Sequence, residues 1–358
     1  MRILVISLAG IGDTLFATPL IRELRANFPQ ATIDAFVMWR GSKDLLEGNP
    51  HLNAIHQQNL IKLGYFKSLD YVSSLRENGY DISFNTHPQS RIQYRITARL
   101  INARIRVSHQ YDNASILDGL LVNRRINQNY QLHSIENNLA FLTFLNTGPT
   151  LQKPGYEIFL SPEELAWADQ FVAQRQLSGR KLLGIHVGSG GTKNLALRRW
   201  PFENYRELIA RLCRRFPDLS VLLFGGPEEQ KDHEQLLAQV GGGQVLHPKT
   251  ENLRQAAALI RKCDIFLSVD TALMHIAAAT KVPKQIVIET PTWNRPIEPR
   301  RESFALVPNP AVAGRNLEFY RYDGHGIRGT DQEIVSAMQS VSVDAVQEAI
   351  EQALSRAS

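Results

Sequence analysis

Cysteine is almost missing from this chain: 358 residues hold two, Cys213 and Cys263. They lie far apart, without a CxxC or Cys/His spacing, which excludes a disulfide framework and a zinc site of the usual kind. Both read as small buried hydrophobes. Long apolar runs are missing too. The early run Ile3 to Leu8 is too short to span a bilayer, and Asp13 interrupts anything that could read as a signal peptide, so a cytoplasmic location is expected. There is no D-x-D motif that would argue for a metal, no G-K-[ST] of a Walker loop, no low-complexity tract and no heptad array. Neither charge sign dominates strongly: 40 Lys and Arg face 35 Asp and Glu, a formal charge of +5. That excess favours anionic partners such as nucleotide diphosphates, acidic glycolipids or an anionic membrane surface. The arginines are scattered through helices without a reading motif or aromatic stacking signature, so no nucleic acid partner is expected.

What is present is an ordinary globular composition, 43% hydrophobic and 21% charged, in a chain long enough for two cores. The pattern is an alternation of strand and helix. Strand Arg2 to Leu8, a Gly-rich turn and an amphipathic helix from about Asp13 to Phe28 form the first unit, and Thr32–Val37, Ala54–His56 and Asp81–Asn85 read as further strands. From about Gln89 to Gln131 the chain reads as loops, with one short strand-like piece at Arg104–Val107. His133–Leu145 and Pro162–Gln176 read as helices, and Leu177–Arg180 as a linker. A second alternating series runs from strand Lys181–His186 to strand Gln285–Ile288. Pro291–Gly329 reads as irregular and Val343–Leu354 as a closing helix. The expectation is an α/β protein with parallel sheets covered by helices. Its domains would be 1–177 and 178–330, with a helical segment 331–358 packing back on the first.

Three loops could carry chemistry. In S-L-A-G-I-G-D-T, Gly10 and Gly12 turn the chain sharply out of the first strand, and Asp13 and Thr14 follow at the carboxyl end of a parallel strand. A carboxylate so placed can take a proton from a substrate hydroxyl, and an Asp there can equally cap the helix. A dinucleotide fingerprint would use Gly10-x-Gly12 and Asp34 as the ribose ligand, but Leu15 stands where its third glycine belongs. In H-V-G-S-G-G-T-K-N-L-A-L-R-R-W-P, the backbone at Gly188, Ser189 and Gly190 could cradle a phosphate, with Lys193, Arg198 and Arg199 as cations. In S-V-D-T-A-L-M-H, a buried strand ends at Asp270. A helix opens after Thr271 at Ala272, its free amides suited to an anion. His275 lies one turn in, where a structural role is equally open. Glu228 and Glu229 follow F-G-G-P at another strand end, where a carboxylate could accept from a ribose diol.

These segments together resemble glycosyltransferase family 9, the ADP-heptose:lipopolysaccharide heptosyltransferases. The resemblance rests above all on G-I-G-D-T and D-T-A-L-M-H-I-A-A-A, supported by G-N-P-H-L-N-A-I, R-R-W-P and F-G-G-P-E-E. It implies a GT-B fold of two Rossmann-like domains facing an interdomain cleft, with acceptor on the first and nucleotide-sugar donor on the second. Asp13 would match the catalytic base. Gly10, Gly12 and Thr14 would lie on the acceptor side. Gly188, Ser189, Arg198, Arg199, Glu228, Glu229, Asp270, Thr271, Ala272 and His275 would bind the donor. The sequence departs from the family at Ala272, where glycine is usual, at Thr290 to Thr292, which read T-P-T for G-P-T, and at Arg198, where lysine is frequent.

The reaction implied is an inverting, metal-independent transfer of a heptose or related sugar, ADP-linked, to a glycan or glycolipid such as lipopolysaccharide core. No cofactor or metal is expected beyond the nucleotide-sugar co-substrate. Peripheral association with the cytoplasmic face of the inner membrane would suit a lipid-linked acceptor. The alternatives are a catalytically altered binding protein of the same fold, or a transferase acting on a protein acceptor.

Overall fold

A computed structural model describes residues 1–152, 154–189, 195–240, 242–293, 295–299, 304–312 and 330–355. Gly190 and Lys193 lie outside these. The chain divides into two compact units. Of the described residues, the first unit comprises 1–159 with 295–298, and the second 160–293 with 299, 304–312 and 330–355.

In the first unit the strands are β1 (Arg2–Ser7), β2 (Thr32–Val37), β3 (Ala54–Gln57), β4 (Ile82–Asn85), β5 (Ile105–Gln110) and β6 (Arg124–Asn127). The helices are α1 (Thr18–Asn27), α2 (Arg40–Leu46), α3 (Leu60–Leu63), α4 (Tyr65–Ser74), α5 (Ile92–Ile101), α6 (Asp118–Leu121) and α7 (Ser134–Leu139). The six strands form one parallel sheet in the order β3-β2-β1-β4-β5-β6. β1 is central and its Ile3 to Ile6 are fully buried, as expected of a strand covered on both faces. Leu4, Ile6 and Leu8 face one side, where Val72 and Leu75 from the α4 region and Ala98 and Ile101 of α5 cover them.

Two features of this unit differ from the sequence reading. The helix expected from Asp13 begins as a 3-10 segment, Gly12–Ala17, and becomes α-helical only at Thr18, where Pro19 occupies the first turn. Proline suits that position because its missing N–H would have no intrahelical acceptor there. The stretch expected to be loops holds α5, a six-residue β5 and β6. Its helical periodicity is disguised because Arg95 faces inward. That arginine is buried and pairs with Asp118 at 2.7 Å, so a charge occupies a core-side position.

The second unit begins with α8 (Pro162–Gln174), then β7 (Lys181–His186), α9 (Phe202–Arg215), β8 (Leu219–Phe224), α10 (Gln230–Val240), β9 (Val245–Leu246) and α11 (Leu253–Ile260). It continues with β10 (Ile265–Ser268), α12 (Ala272–Ala279), β11 (Lys284–Ile288), β12 (Phe304–Val307), α13 (Asp331–Gln339) and α14 (Val343–Ser355). Its parallel sheet has the order β12-β11-β10-β7-β8-β9. Leu208, Ile209 and Leu212 of α9 recur at helical spacing and are fully buried, each contributing roughly 1.5–3 kcal/mol by transfer from water. β12 lies at the sheet edge within the stretch read as irregular.

The unit boundary falls after Phe159 and not at 177. The reason is α8, which packs on α11 and pairs its Glu164 with Arg254, so it belongs to the second core. The described part of the closing segment, expected on the first unit, belongs to the second and packs on its core. Met338, Val341, Val346 and Ile350 join its apolar cluster, and Trp200 donates its indole N–H to the Val341 carbonyl at 2.9 Å.

Candidate active site

Each sheet reverses its strand order beside a central strand, between β1 and β4 in the first unit and between β7 and β10 in the second. Crevices outside the carboxyl ends of strands at such points are where open α/β sheets bind ligands. The three loops singled out by sequence follow β1, β7 and β10, so the fold puts each at such an edge.

After β1, the Asp13 Oδ2 accepts a hydrogen bond from the Gly10 N–H at 2.7 Å. The helical segment is capped at Ile11, so Asp13 is not the N-cap residue but folds back on the turn from inside it. A Cβ at position 10 would lie 2.8 Å from that oxygen, which is why glycine fits here. Asp13 is half-buried. Thr14 is fully buried and donates to Ser42 Oγ at 2.8 Å, which ties the turn to α2. Gly12 is buried and Gly10 exposed. Tyr94 lies close enough to feel the Asp13 charge: burial raises its phenol pKa, Arg91 opposes, and Asp13 adds to the rise. Asp34 has a different role from the ribose ligand of a dinucleotide enzyme. It is buried in β2 and accepts from Tyr80 Oη at 2.8 Å, with His56 beside it.

In the second unit, Arg198 and Asp270 form a buried ion pair at 2.7 Å, each side chain about one-tenth exposed. Arg198 also donates to Thr292 Oγ1 at 2.9 Å and to the Asp270 carbonyl at 3.3 Å. Thr292 in turn contacts Thr290 Oγ1 at 3.1 Å, so the T-P-T departure places two hydroxyls in this network. Thr271 caps α12, its hydroxyl accepting from the Met274 N–H, and His186 Nδ1 lies 3.1 Å from the same hydroxyl. By position the Ala272 and Leu273 amides have no intrahelical acceptor.

Arg199 serves a neighbouring carboxylate. It pairs with Glu229 at 2.8 Å and Asp232 at 3.4 Å and donates to the Ser189 carbonyl. Glu229 is buried beneath Gly188, where a Cβ would come within 2.2 Å of its Oε1. Burial raises its pKa, against the Gly226 N–H and the Arg199 charge. Glu228 is exposed, and Ser189 is buried with its hydroxyl on the Leu195 carbonyl. Among the described residues, the Nε of Arg198 and the Nε of Arg199 are buried without a hydrogen-bond partner. Sequence reasoning named Thr292 only as part of the T-P-T departure and His186 only as the end of a strand, gave neither a role, and missed Asp232, which carries no local motif; all three join the site only through the fold.

Among the described residues this unit holds four histidines, His186, His233, His247 and His275, and burial lowers the pKa of each. Burial depresses His186 to about 3, and the neighbouring His233 and Arg199 lower it further. Burial likewise depresses His233 and His275 to about 4 each. Every one of these folded-state values lies below that of the unfolded chain. The unfolded chain therefore takes up protons that the folded unit refuses, and stability is lost as pH falls from about 6.5 toward the folded values. Each histidine contributes a slope of roughly 1.4 kcal/mol per pH unit in that window. Denaturation followed by tryptophan fluorescence, which Trp167, Trp200 and Trp293 make sensitive to this unit, should show stability falling steeply below pH 6. His233→Gln should flatten the slope, by about a quarter if the four histidines contribute equally, and an unchanged slope would remove His233 from the explanation.

Two Rossmann-like units with parallel six-stranded sheets, the second holding a buried arginine beside a helix start, are the architecture of GT-B glycosyltransferases. The whole chain superimposes on solved structures of that class. One is a glycosyl transferase family 9 protein from Veillonella parvula, with TM-score 0.79, 19% identity, and 99% and 97% of the two chains covered. Another is the E. coli ADP-heptose lps heptosyltransferase II, with TM-score 0.71, 21% identity and 99% of each chain covered. The sequence pattern of glycosyltransferase family 9 (heptosyltransferase) matches residues 69–305, and the chain belongs to that family. It is 24% identical over 281 residues to the lipopolysaccharide core heptosyltransferase OpsX of Haemophilus influenzae, covering 78% of this chain and 76% of the relative. It is 27% identical over 308 residues to lipopolysaccharide heptosyltransferase 2 of Escherichia coli K12, covering 79% and 81%. Among the described residues no helix is long and apolar enough to cross a membrane.

Proposed function

We propose that this glycosyltransferase moves a heptose from ADP-heptose to a saccharide of the lipopolysaccharide core, by single displacement with inversion and without a metal ion. The observation that carries the donor half of this reading is the pair of buried guanidinium N–H groups, on Arg198 and Arg199, that lack an acceptor among the described residues. A buried unpaired donor costs free energy, and oxygens of a diphosphate would satisfy both. The Ala272 and Leu273 amides at the start of α12 add the positive end of a helix dipole. Glu229, held by Arg199, would accept from a ribose diol, and His275 and Asp270 would meet the sugar. In the chemical step Asp13 takes the proton from an acceptor hydroxyl, whose oxygen attacks the anomeric carbon as its bond to the diphosphate breaks. The electron pair leaves on the diphosphate, where Arg198 and the amides stabilise it. A lipid-linked acceptor would bring the protein to the membrane surface as a peripheral enzyme.

The relatives' names support heptose and lipopolysaccharide, and the site chemistry supports a nucleoside diphosphate. The test is transfer itself. ADP-heptose should raise the melting temperature more than GDP-, UDP- or dTDP-sugars, since a ligand that binds only the folded state stabilises it. It should also release ADP with a core oligosaccharide present, at a rate unchanged by EDTA. Loss of activity in EDTA restored by a divalent cation would overturn the metal-free mechanism. Saturable donor binding without turnover on any core acceptor would favour a binding protein.

A further inference from the structure

Large apolar side chains are exposed at scattered points of any protein, but here they concentrate. In the first unit, Phe66 is 82% exposed, Tyr65 73% and Ile61 72%, while Ile116 is 96% exposed, Leu120 71% and Leu117 56%. The first three sit on α3 and the opening turn of α4, immediately after β3. The others sit at and just before α6, after β5. α3 packs on α4, α4 on α5 and α5 on α6, so the two groups belong to one helical layer. Because each follows the carboxyl end of a parallel strand, both lie at the sheet edge that also carries Gly10 and Asp13 after β1.

The charge around them is basic. Residues 60–125 contain ten Lys and Arg against five Asp and Glu, an excess equal to the formal charge of the whole chain. Lys62 and Lys67 lie on either side of Tyr65 and Phe66 and are exposed, as are Arg91 at the start of α5 and Arg125 beside Gly119 of α6. Exposed apolar tips ringed by cations suit insertion into the headgroup boundary of an anionic bilayer, where the apolar side chains enter and the cations meet phosphate.

From this juxtaposition we infer that the α3–α6 layer of the first unit is a docking face for an anionic phospholipid surface. Phe66, Tyr65 and Ile61 form one foot, and Ile116, Leu117 and Leu120 the other. The face rests on the glycolipid-acceptor reading only for its use: it would set Asp13 beside the surface from which a lipid-linked acceptor comes. Its chemistry does not depend on that reading.

The test uses the full chain and vesicles that contain no saccharide. Wild-type protein should sediment with phosphatidylcholine vesicles containing about 30% phosphatidylglycerol and not with phosphatidylcholine alone, and added salt should release it. Phe66→Ser with Ile116→Ser should weaken that binding at least tenfold, roughly the scale of withdrawing two large apolar side chains from the boundary. Lys62→Glu with Lys67→Glu should weaken it most at low salt. All four positions are exposed, and stabilisation by ADP, which reports the second unit, should be unchanged in both variants. Wild type that ignores anionic vesicles, or variants that bind them as wild type does, would overturn the inference. So would variants whose main change is loss of self-association by analytical ultracentrifugation, because the face would then seat a second copy. Transfer to a delipidated core oligosaccharide, measured separately, reports on the reaction. Vesicle binding can therefore fail while the transferase reading stands, and the reverse.

Discussion

Asp13→Asn is expected to lower the transfer rate by about 10²–10⁴-fold, the usual worth of a positioned general base, with the fold and donor affinity preserved. Asparagine keeps the oxygen that accepts from the Gly10 N–H, so the turn and its burial of Thr14 should survive. What it loses is the capacity to take a proton. The measurement is kcat for ADP release with acceptor present, alongside stabilisation by ADP alone. A variant with near wild-type kcat would leave Asp13 a turn-forming residue and move the base elsewhere. Asp13→Ala separates the two roles further, since it removes the Gly10 bond as well and should lose stability in addition to rate.

Arg198→Ala carries the largest expected effect on stability. Removing the guanidinium leaves the Asp270 carboxylate, one-tenth exposed, without its partner at 2.7 Å, and breaking a buried ion pair from one side costs about 3–5 kcal/mol. It also strips a hydrogen bond from Thr292. Equilibrium denaturation of the second unit should show the loss, and donor-induced stabilisation should disappear with it. Arg198→Met combined with Asp270→Asn tells the two effects apart. The double variant removes both buried charges and should regain much of the stability, while donor binding stays lost because the cation is gone. Recovery of donor binding in the double variant would make Arg198 a structural counterion alone.

These effects depend on partners that differ greatly in how far they could be read from sequence. The turn at Gly10 to Asp13 was legible because glycine spacing, a preceding apolar strand and a following helix are all local. The opening of α12 was legible for the same reason, as Thr271 is a strong capping residue directly after a buried strand. The Arg198 to Asp270 pair was not, since 72 residues separate its members and nothing near either one specifies the other. Arg199 shows the limit more sharply. Its charge reads as a second phosphate ligand and its Nε keeps no acceptor among the described residues, yet Glu229 and Asp232, brought alongside by α10 and the turn before it, hold the other nitrogens of that guanidinium.

By itself the sequence determined two alternating α/β series, the positions of the loops at their strand ends, and the chemistry each loop could offer. Those properties follow from periodicity, capping and glycine placement, which act over a few residues. Only the tertiary structure decided that α8 belongs to the second unit, that the closing helices pack on the second core, and that the basic stretch after Gln89 folds into α5, β5 and β6. It also decided that Arg198 and Arg199 each pair with a carboxylate while keeping an Nε donor without an acceptor among the described residues. Burial and long-range pairing set those outcomes, and both arise only when strands distant in sequence become neighbours in one sheet.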